Sequence, residues 1–161
     1  MDPSHDPAET PAPDNQRPEG VSDDVVAAVG KLNEAVETIE RARGHLYAMH
    51  QLTGYADEML DEVVETLTRA GHQSLADRIS DELIGLNVLP GRWTFQIVEE
   101  YDDGYYRAWR ELDRDVRQEL VGGRRHVMEA EAKERRRTRG RAGHAARPRE
   151  ADDPPGSGGE A

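Results

Sequence analysis

From Val25 onward the apolar residues Val25, Val29, Leu32, Val36 and Ile39 recur in alternating steps of four and three. Only a helix with 3.6 residues per turn brings such positions onto one side, and the seam they form has to be covered by another helix. The same stepping continues through Arg43, Leu46, His50 and Thr53. Its strictly apolar part lasts about two heptads, fewer than a free-standing coiled coil needs, which points to packing inside a bundle. Ser22 ahead of Asp23 and Asp24 marks the start, a hydroxyl cap with carboxylates in the first turn. The pattern resumes as Ala56, Leu60, Val63, Leu67 and Ala70 and stops at Gly71, a residue suited to the left-handed cap position. Gly44 and Gly54 weaken the helix, and uninterrupted helices beyond 25 residues are uncommon in small domains. Residues 23–70 are therefore expected as two helices broken near Thr53 and Gly54.

Ser74 with Asp77 three residues on resembles a capping box ahead of Leu75, Ile79, Leu83 and Leu86, and Pro90-Gly91 predicts that this helix stops by Asn87. Trp93 to Tyr101 fits both a strand and a helix. Helix is favoured, because only Val88 and Leu89 offer a partner strand and an isolated ribbon is marginal in water. Tyr105, Trp109, Leu112, Val116 and Leu120 then repeat as a helix that Gly122-Gly123 loosens or ends. The expected fold is all-α, a small antiparallel bundle of three to four helices over residues 22–122, with one very long helical hairpin as a variant. Flanking it are a disordered acidic tail with five prolines over residues 1–21, an arginine-rich extension of helix-forming composition over 123–139, and a disordered tail over 140–161.

Composition narrows the function classes. Leu, Ile, Val and Phe number 28, and 26 of them lie between Ser22 and Val121, so there is one modest apolar core. No apolar run approaches the length of a membrane span, and the acidic, proline-rich start has no secretory pattern, so a cytoplasmic protein without membrane contact is expected. The absence of cysteine excludes disulfides, thiolate zinc sites, iron–sulfur clusters and a cysteine nucleophile. The net charge of −12 divides unevenly: residues 25–123 carry 19 acids and 10 bases, whereas residues 124–149 carry ten bases and three acids. An acidic body repels phosphate backbones, so nucleic acid is disfavoured except weakly and without sequence preference through Arg124 to Arg141. That tail has no interleaved aromatics and is followed by acids, which favours a solvated segment.

Six of the eight aromatic residues, Trp93, Phe95, Tyr101, Tyr105, Tyr106 and Trp109, fall within 17 positions and alternate with Arg92, Arg107 and Arg110. Aromatics and arginine supply large contact area at binding hot spots, so Arg92, Trp93, Phe95, Tyr101, Tyr105, Tyr106, Trp109 and Arg110 are the candidate interaction residues. The competing reading packs the same side chains inside the bundle. On a helix Tyr105 and Tyr106 cannot both face one core.

Acids supply the second candidate. Glu58 with Asp61 or Glu62, and Glu99 with Asp102, are spaced to share helix faces and to present carboxylate oxygens to Mg²⁺ or Mn²⁺. The stretches Asp57-Glu58-Met59-Leu60-Asp61 and Glu99-Glu100-Tyr101-Asp102 resemble the paired EExxE and ExxD motifs of the all-helical nucleotide pyrophosphohydrolases of the MazG and dUTPase-like group. The resemblance implies a divalent-metal nucleotide hydrolase with Glu58, Asp61, Glu62, Glu99 and Asp102 as ligands. It covers about fifty residues, two acids of the first motif are Asp in place of Glu, and nine acidic pairs share this spacing, close to the number chance gives at this acid content. Histidine offers less: His45 and His50 stand about 140° apart around a helix, and His72 and His126 sit near helix ends. His50, on the seam, reads best as a hydrogen-bonded residue at the bundle edge. No phosphate-binding glycine loop or nucleophile elbow is present. The expectation is a non-enzymatic cytoplasmic helical adaptor without cofactor. It would engage an unidentified protein through the aromatic segment and self-associate as a homodimer through the Val25–Ile39 seam. The metal-dependent hydrolase and the weak nucleic-acid accessory are the alternatives.

Overall fold

The computed structural model describes residues 9–147. It is an all-α helical bundle of α1 (Asp23–Arg69), α2 (Gln73–Glu82), α3 (Thr94–Tyr101), a π-helical segment (Asp102–Tyr106), α4 (Arg107–Val121) and α5 (Val127–Arg136). The π-helical segment joins α3 to α4 without a break. Trp93–Tyr101, ambiguous in sequence, is helical from Thr94. Residues 1–8 and 148–161, the outer parts of the two segments read as disordered, lie outside the described residues.

α1 is one helix of 47 residues, a correction to the expected break near Thr53 and Gly54. Each glycine costs a helix only about 1 kcal/mol relative to alanine, a deficit that contacts elsewhere offset. Thr53 turns its hydroxyl back onto the Met49 carbonyl at 2.8 Å and so stays within the helix. The ends follow the sequence signals: the Ser22 hydroxyl accepts the Val25 N–H at 3.3 Å. At the other end Gly71 takes φ +83°, with the His72 N–H on the Leu67 carbonyl and the Gly71 N–H on the Thr68 carbonyl. Those two bonds make a Schellman stop that satisfies the last carbonyls. This stop leads directly into α2 at Gln73, so Ser74 lies inside α2 and the expected Ser74 cap does not form. α2 also ends at Glu82, earlier than the expected Asn87, because Gly85 adopts φ +72° and gives its N–H to the Asp57 carboxylate at 3.0 Å.

The chain divides into two compact units, one of residues 36–110 and one whose described residues are 9–35 and 111–147. Within residues 36–110 the pairs Glu40 with Arg110, Arg43 with Asp102, His50 with Thr94 and Asp57 with Gly85 advance along α1 while receding along the partner strand of chain. The two segments are therefore antiparallel.

In the other unit Val26, Val29, Val121 and Val127 are buried, and Gly30 lies under Met128 so closely that a Cβ there would collide with the thioether. The acidic, proline-rich segment read as disordered holds defined contacts from Glu9 inward. Pro13–Asn15 forms a 3₁₀ turn, and Arg17 forks onto Glu131 at 2.6 and 2.9 Å and reaches Asp23 at 2.6 Å, which raises its pKa. Arg137, expected to be solvated, is buried: it meets the Glu9 carboxylate at 2.8 Å, the Glu9 carbonyl at 2.6 Å and the Glu134 carboxylate at 2.5 Å.

Two predictions follow from this unit. Gly30→Leu destabilises the protein by about 1–3 kcal/mol in urea unfolding, because the packed core cannot admit the added volume. Gly30→Ala stays within about 1 kcal/mol of the parent, the gain in helix propensity offsetting the shift of a flexible methionine. The second concerns pH. Bonds from Arg137 lower the pKa of both Glu9 and Glu134 below the ordinary 4.5, with the Gly140 N–H adding to the effect at Glu9. The fold binds these protons more weakly than the unfolded chain does, so their contribution is present above pH 4.5 and is lost as pH falls through that value and below. The urea midpoint should drop over that window, and Glu9→Gln with Glu134→Gln should flatten the drop.

Candidate functional site

The aromatic segment is divided by the π-helical turn. Arg43 on α1 grips both Asp102 oxygens, at 2.7 and 2.6 Å, and its guanidinium stands 5.5 Å from the Tyr106 ring. The Asp102 carboxylate raises the Arg43 pKa. Tyr106 donates its hydroxyl to Glu40 at 2.6 Å, and that bond pushes the phenol above its usual 10.0. Arg110 joins the same carboxylate at 2.7 Å. Because a π turn takes an extra residue, Tyr101 and Tyr106 stack with planes 18° apart, although they are five positions apart. Tyr101, Tyr106 and Trp109 are half-buried, whereas Tyr105 points outward and meets Trp109 edge-on at 6.0 Å. Four of the eight candidate interaction residues, Tyr101, Tyr106, Trp109 and Arg110, therefore sit at or beside the contact between α1 and the π-helical and α4 segments.

The start of α3 lies open. Trp93 caps α3, its N–H held by the Gln96 side chain at 3.0 Å, and Thr94 is tied to His50 Nδ1 at 2.8 Å. His50 is thus the hydrogen-bonded residue expected at the edge of the bundle. These bonds hold the backbone while the indole remains 59% exposed and packs edge-on against Phe95 at 5.3 Å. Leu86, Val88 and Leu89, on the segment leading to Trp93, are also exposed. A groove of about 290 Å³ between α1 and this segment is lined by Thr53, Gly54, Asp57, Gly85, Leu86, Val88, Trp93 and Thr94. Arg92 stands beside it, paired with Glu100 at 2.6 Å. The patch joins Arg92, Trp93 and Phe95, which sequence reasoning named, to Leu86, Val88 and Leu89, which it did not. The signal was available for Val88 and Leu89, which stand between the expected helix end at Asn87 and Pro90-Gly91; Leu86 fits the helical stepping and gives none.

The five carboxylates of the metal reading are not brought together. Asp102 is held beside Arg43, and Asp61 lies eighteen residues further along α1, roughly 27 Å at the rise of a helix. Glu58, Asp61, Glu62 and Glu99 are exposed. Among the described residues no group of three or more His, Asp or Glu stands close enough to hold a metal ion. The basic run is not uniformly free either: Arg137 is buried, Arg124 donates to the Gln16 carbonyl at 2.6 Å, and Arg139 pairs with Glu134 at 3.5 Å. No described helix is long and apolar enough to cross a membrane.

No protein-family model, curated protein or solved structure matches the chain.

Removing the fork tests its weight. Arg43→Gln should cost about 1–3 kcal/mol in urea unfolding, since it leaves a half-buried carboxylate without its two charged donors. Arg43→Lys should recover only part of that loss, because one ammonium cannot make two parallel bonds.

Proposed function

We propose that the chain is a non-enzymatic cytoplasmic helical adaptor that binds a protein partner through the patch around Trp93. The observation that supports this reading is the grouping of Leu86, Val88, Leu89, Trp93 and Phe95, each at least 40% exposed, beside a groove on a hydrogen-bonded backbone. Grouped apolar side chains of this size on a monomer mark interaction sites, and a tryptophan beside an arginine is a common hot-spot composition. The rigid cap at Trp93 lowers the ordering entropy that binding has to overcome. Among the described residues no carboxylate set converges on a metal site.

A photoreactive phenylalanine analogue at position 93 should yield one discrete adduct with a different protein in living cells. The same analogue at the exposed Arg114 should not, and Leu86→Asp should abolish the adduct at 93. Absence of any adduct at 93 would overturn the proposal. Trp93→Ala should leave the unfolding free energy, measured in urea, within about 0.5 kcal/mol of the parent, as expected of an exposed residue outside the core.

A further inference from the structure

A second apolar surface lies on α1, away from the Trp93 patch and independent of it. Leu52, Tyr55, Met59 and Val63 are spaced by three, four and four residues, so they form one stripe along the helix. They are 66, 58, 68 and 41% exposed. The covered side of α1 in this stretch carries Thr53, Leu60, Val64 and Leu67 instead. Val63, expected on the seam, thus belongs to the uncovered stripe. The seam at the start of α1 differs: Val29 and Val36 are buried within the chain itself, and Val25, Leu32 and Ile39 are half-buried.

We propose that the Leu52–Val63 stripe is covered by the same stripe of a second copy, the two α1 helices crossing antiparallel about a two-fold axis. Charge selects the occupant and its direction. Residues 41–56 hold Arg41 and Arg43 and no acid, whereas residues 57–65 hold Asp57, Glu58, Asp61, Glu62 and Glu65 and no base. A parallel pair sets five acids against five acids. Arg43 is turned to Asp102 of its own chain, so Arg41 is the base left for a second copy. An antiparallel pair sets the acidic half of each helix against the acid-free half of the other, which carries Arg41, and like-charge contact is avoided.

Side-chain size agrees with that direction. In a heptad frame with His45, Leu52, Met59 and Thr66 at one core position and Ala48, Tyr55 and Glu62 at the other, antiparallel packing sets the two kinds of position opposite each other. Leu52 then meets Tyr55 of the second copy, Ala48 meets Met59, and His45 meets Glu62. The long Met59 faces the small Ala48, Leu52 packs on the Tyr55 ring, and the one acid in the seam faces an imidazole.

Area points the same way. At their observed exposure the four stripe residues remove on the order of 400–500 Å² per copy when covered, aromatics and long aliphatics each contributing about 100 Å² or more. That is more than half of the roughly 800 Å² per partner of a stable, specific interface, and the polar side chains flanking the stripe on α1 supply the rim.

The full-length chain should sediment at twice its 18.0 kDa at micromolar concentration. Leu52→Glu with Met59→Glu should return it to a monomer with an unchanged helical circular dichroism spectrum, since both side chains are exposed in the isolated chain. A wild-type monomer at about 100 μM, or a dimer that survives the double substitution, would overturn the proposal. The chain has no cysteine, so direction can be read by oxidation. A mixture of His45→Cys and Glu62→Cys chains should give the mixed disulfide, and neither chain alone should cross-link. Cross-linking of His45→Cys with itself would overturn the antiparallel arrangement. Failure of the Trp93 adduct with a persistent dimer, or the reverse, separates this proposal from the adaptor reading.

Discussion

The fork of Arg43 on Asp102 sets the register on which the unit of residues 36–110 depends. Few large aliphatic side chains are buried there; among the described residues only Val36, Ala76 and Val98 count as core. Apolar packing of that extent is non-directional and admits neighbouring registers. Two parallel charged bonds do not, because a shift by one residue separates a planar guanidinium from its carboxylate. Glu40 reinforces the register from the next turn of α1 by accepting from both Tyr106 and Arg110. At the far end Asp57 takes the Gly85 N–H, which fixes where α2 has stopped.

The same polar pairs account for the π-helical segment. Asp102 and Tyr106 both have to reach α1, and the extra residue accommodated over Asp102–Tyr106 lets them do so while Tyr105 turns outward. Gly104 lies in the middle of this segment, where it carries no side chain to crowd the widened turn. The incompatible directions of Tyr105 and Tyr106 could be read from the sequence, because adjacent helical residues diverge by about 100°. The π turn could not, since nothing in a local pattern announces that two residues share a distant partner.

Periodicity and caps carried most of the architecture. The start at Ser22, the stop at Gly71 and the helix through Trp109 and Leu120 rest on local chemistry and were legible as such. The continuity of α1 was not, because local propensity weighs Gly44 and Gly54 without knowing that Arg43, His50 and Asp57 on the same helix have partners. Arg137 shows the opposite limit. In an arginine-rich run it looks solvated, and its burial is made tolerable by Glu134 three positions before it together with Glu9, 128 positions earlier. Of the candidate site, Trp93 and Phe95 were identified by composition. Of their apolar neighbours, Leu86 fits the helical stepping of α2, and the early left-handed turn at Gly85 releases it, whereas Val88 and Leu89 lie past the expected helix end.

Scarcity of covered apolar surface links these details to function. A helix of 47 residues is longer than the segments that fold against it in the unit of residues 36–110, so one arc of its surface stays without a neighbour in the chain. A solvated helix could fill that arc with charge, as α1 does at Glu58, Asp61 and Glu65 on another side. Leu52, Tyr55, Met59 and Val63 occupy it instead, at a spacing that keeps them aligned over three turns. Bulky side chains held in line on one helix are suited to another helix, whereas the indole and leucines gathered at the irregular segment before α3 are suited to a shaped recess. The two surfaces therefore differ in shape, and the partners proposed for them differ accordingly: a copy of the chain for the stripe, and a protein of another kind for the Trp93 patch.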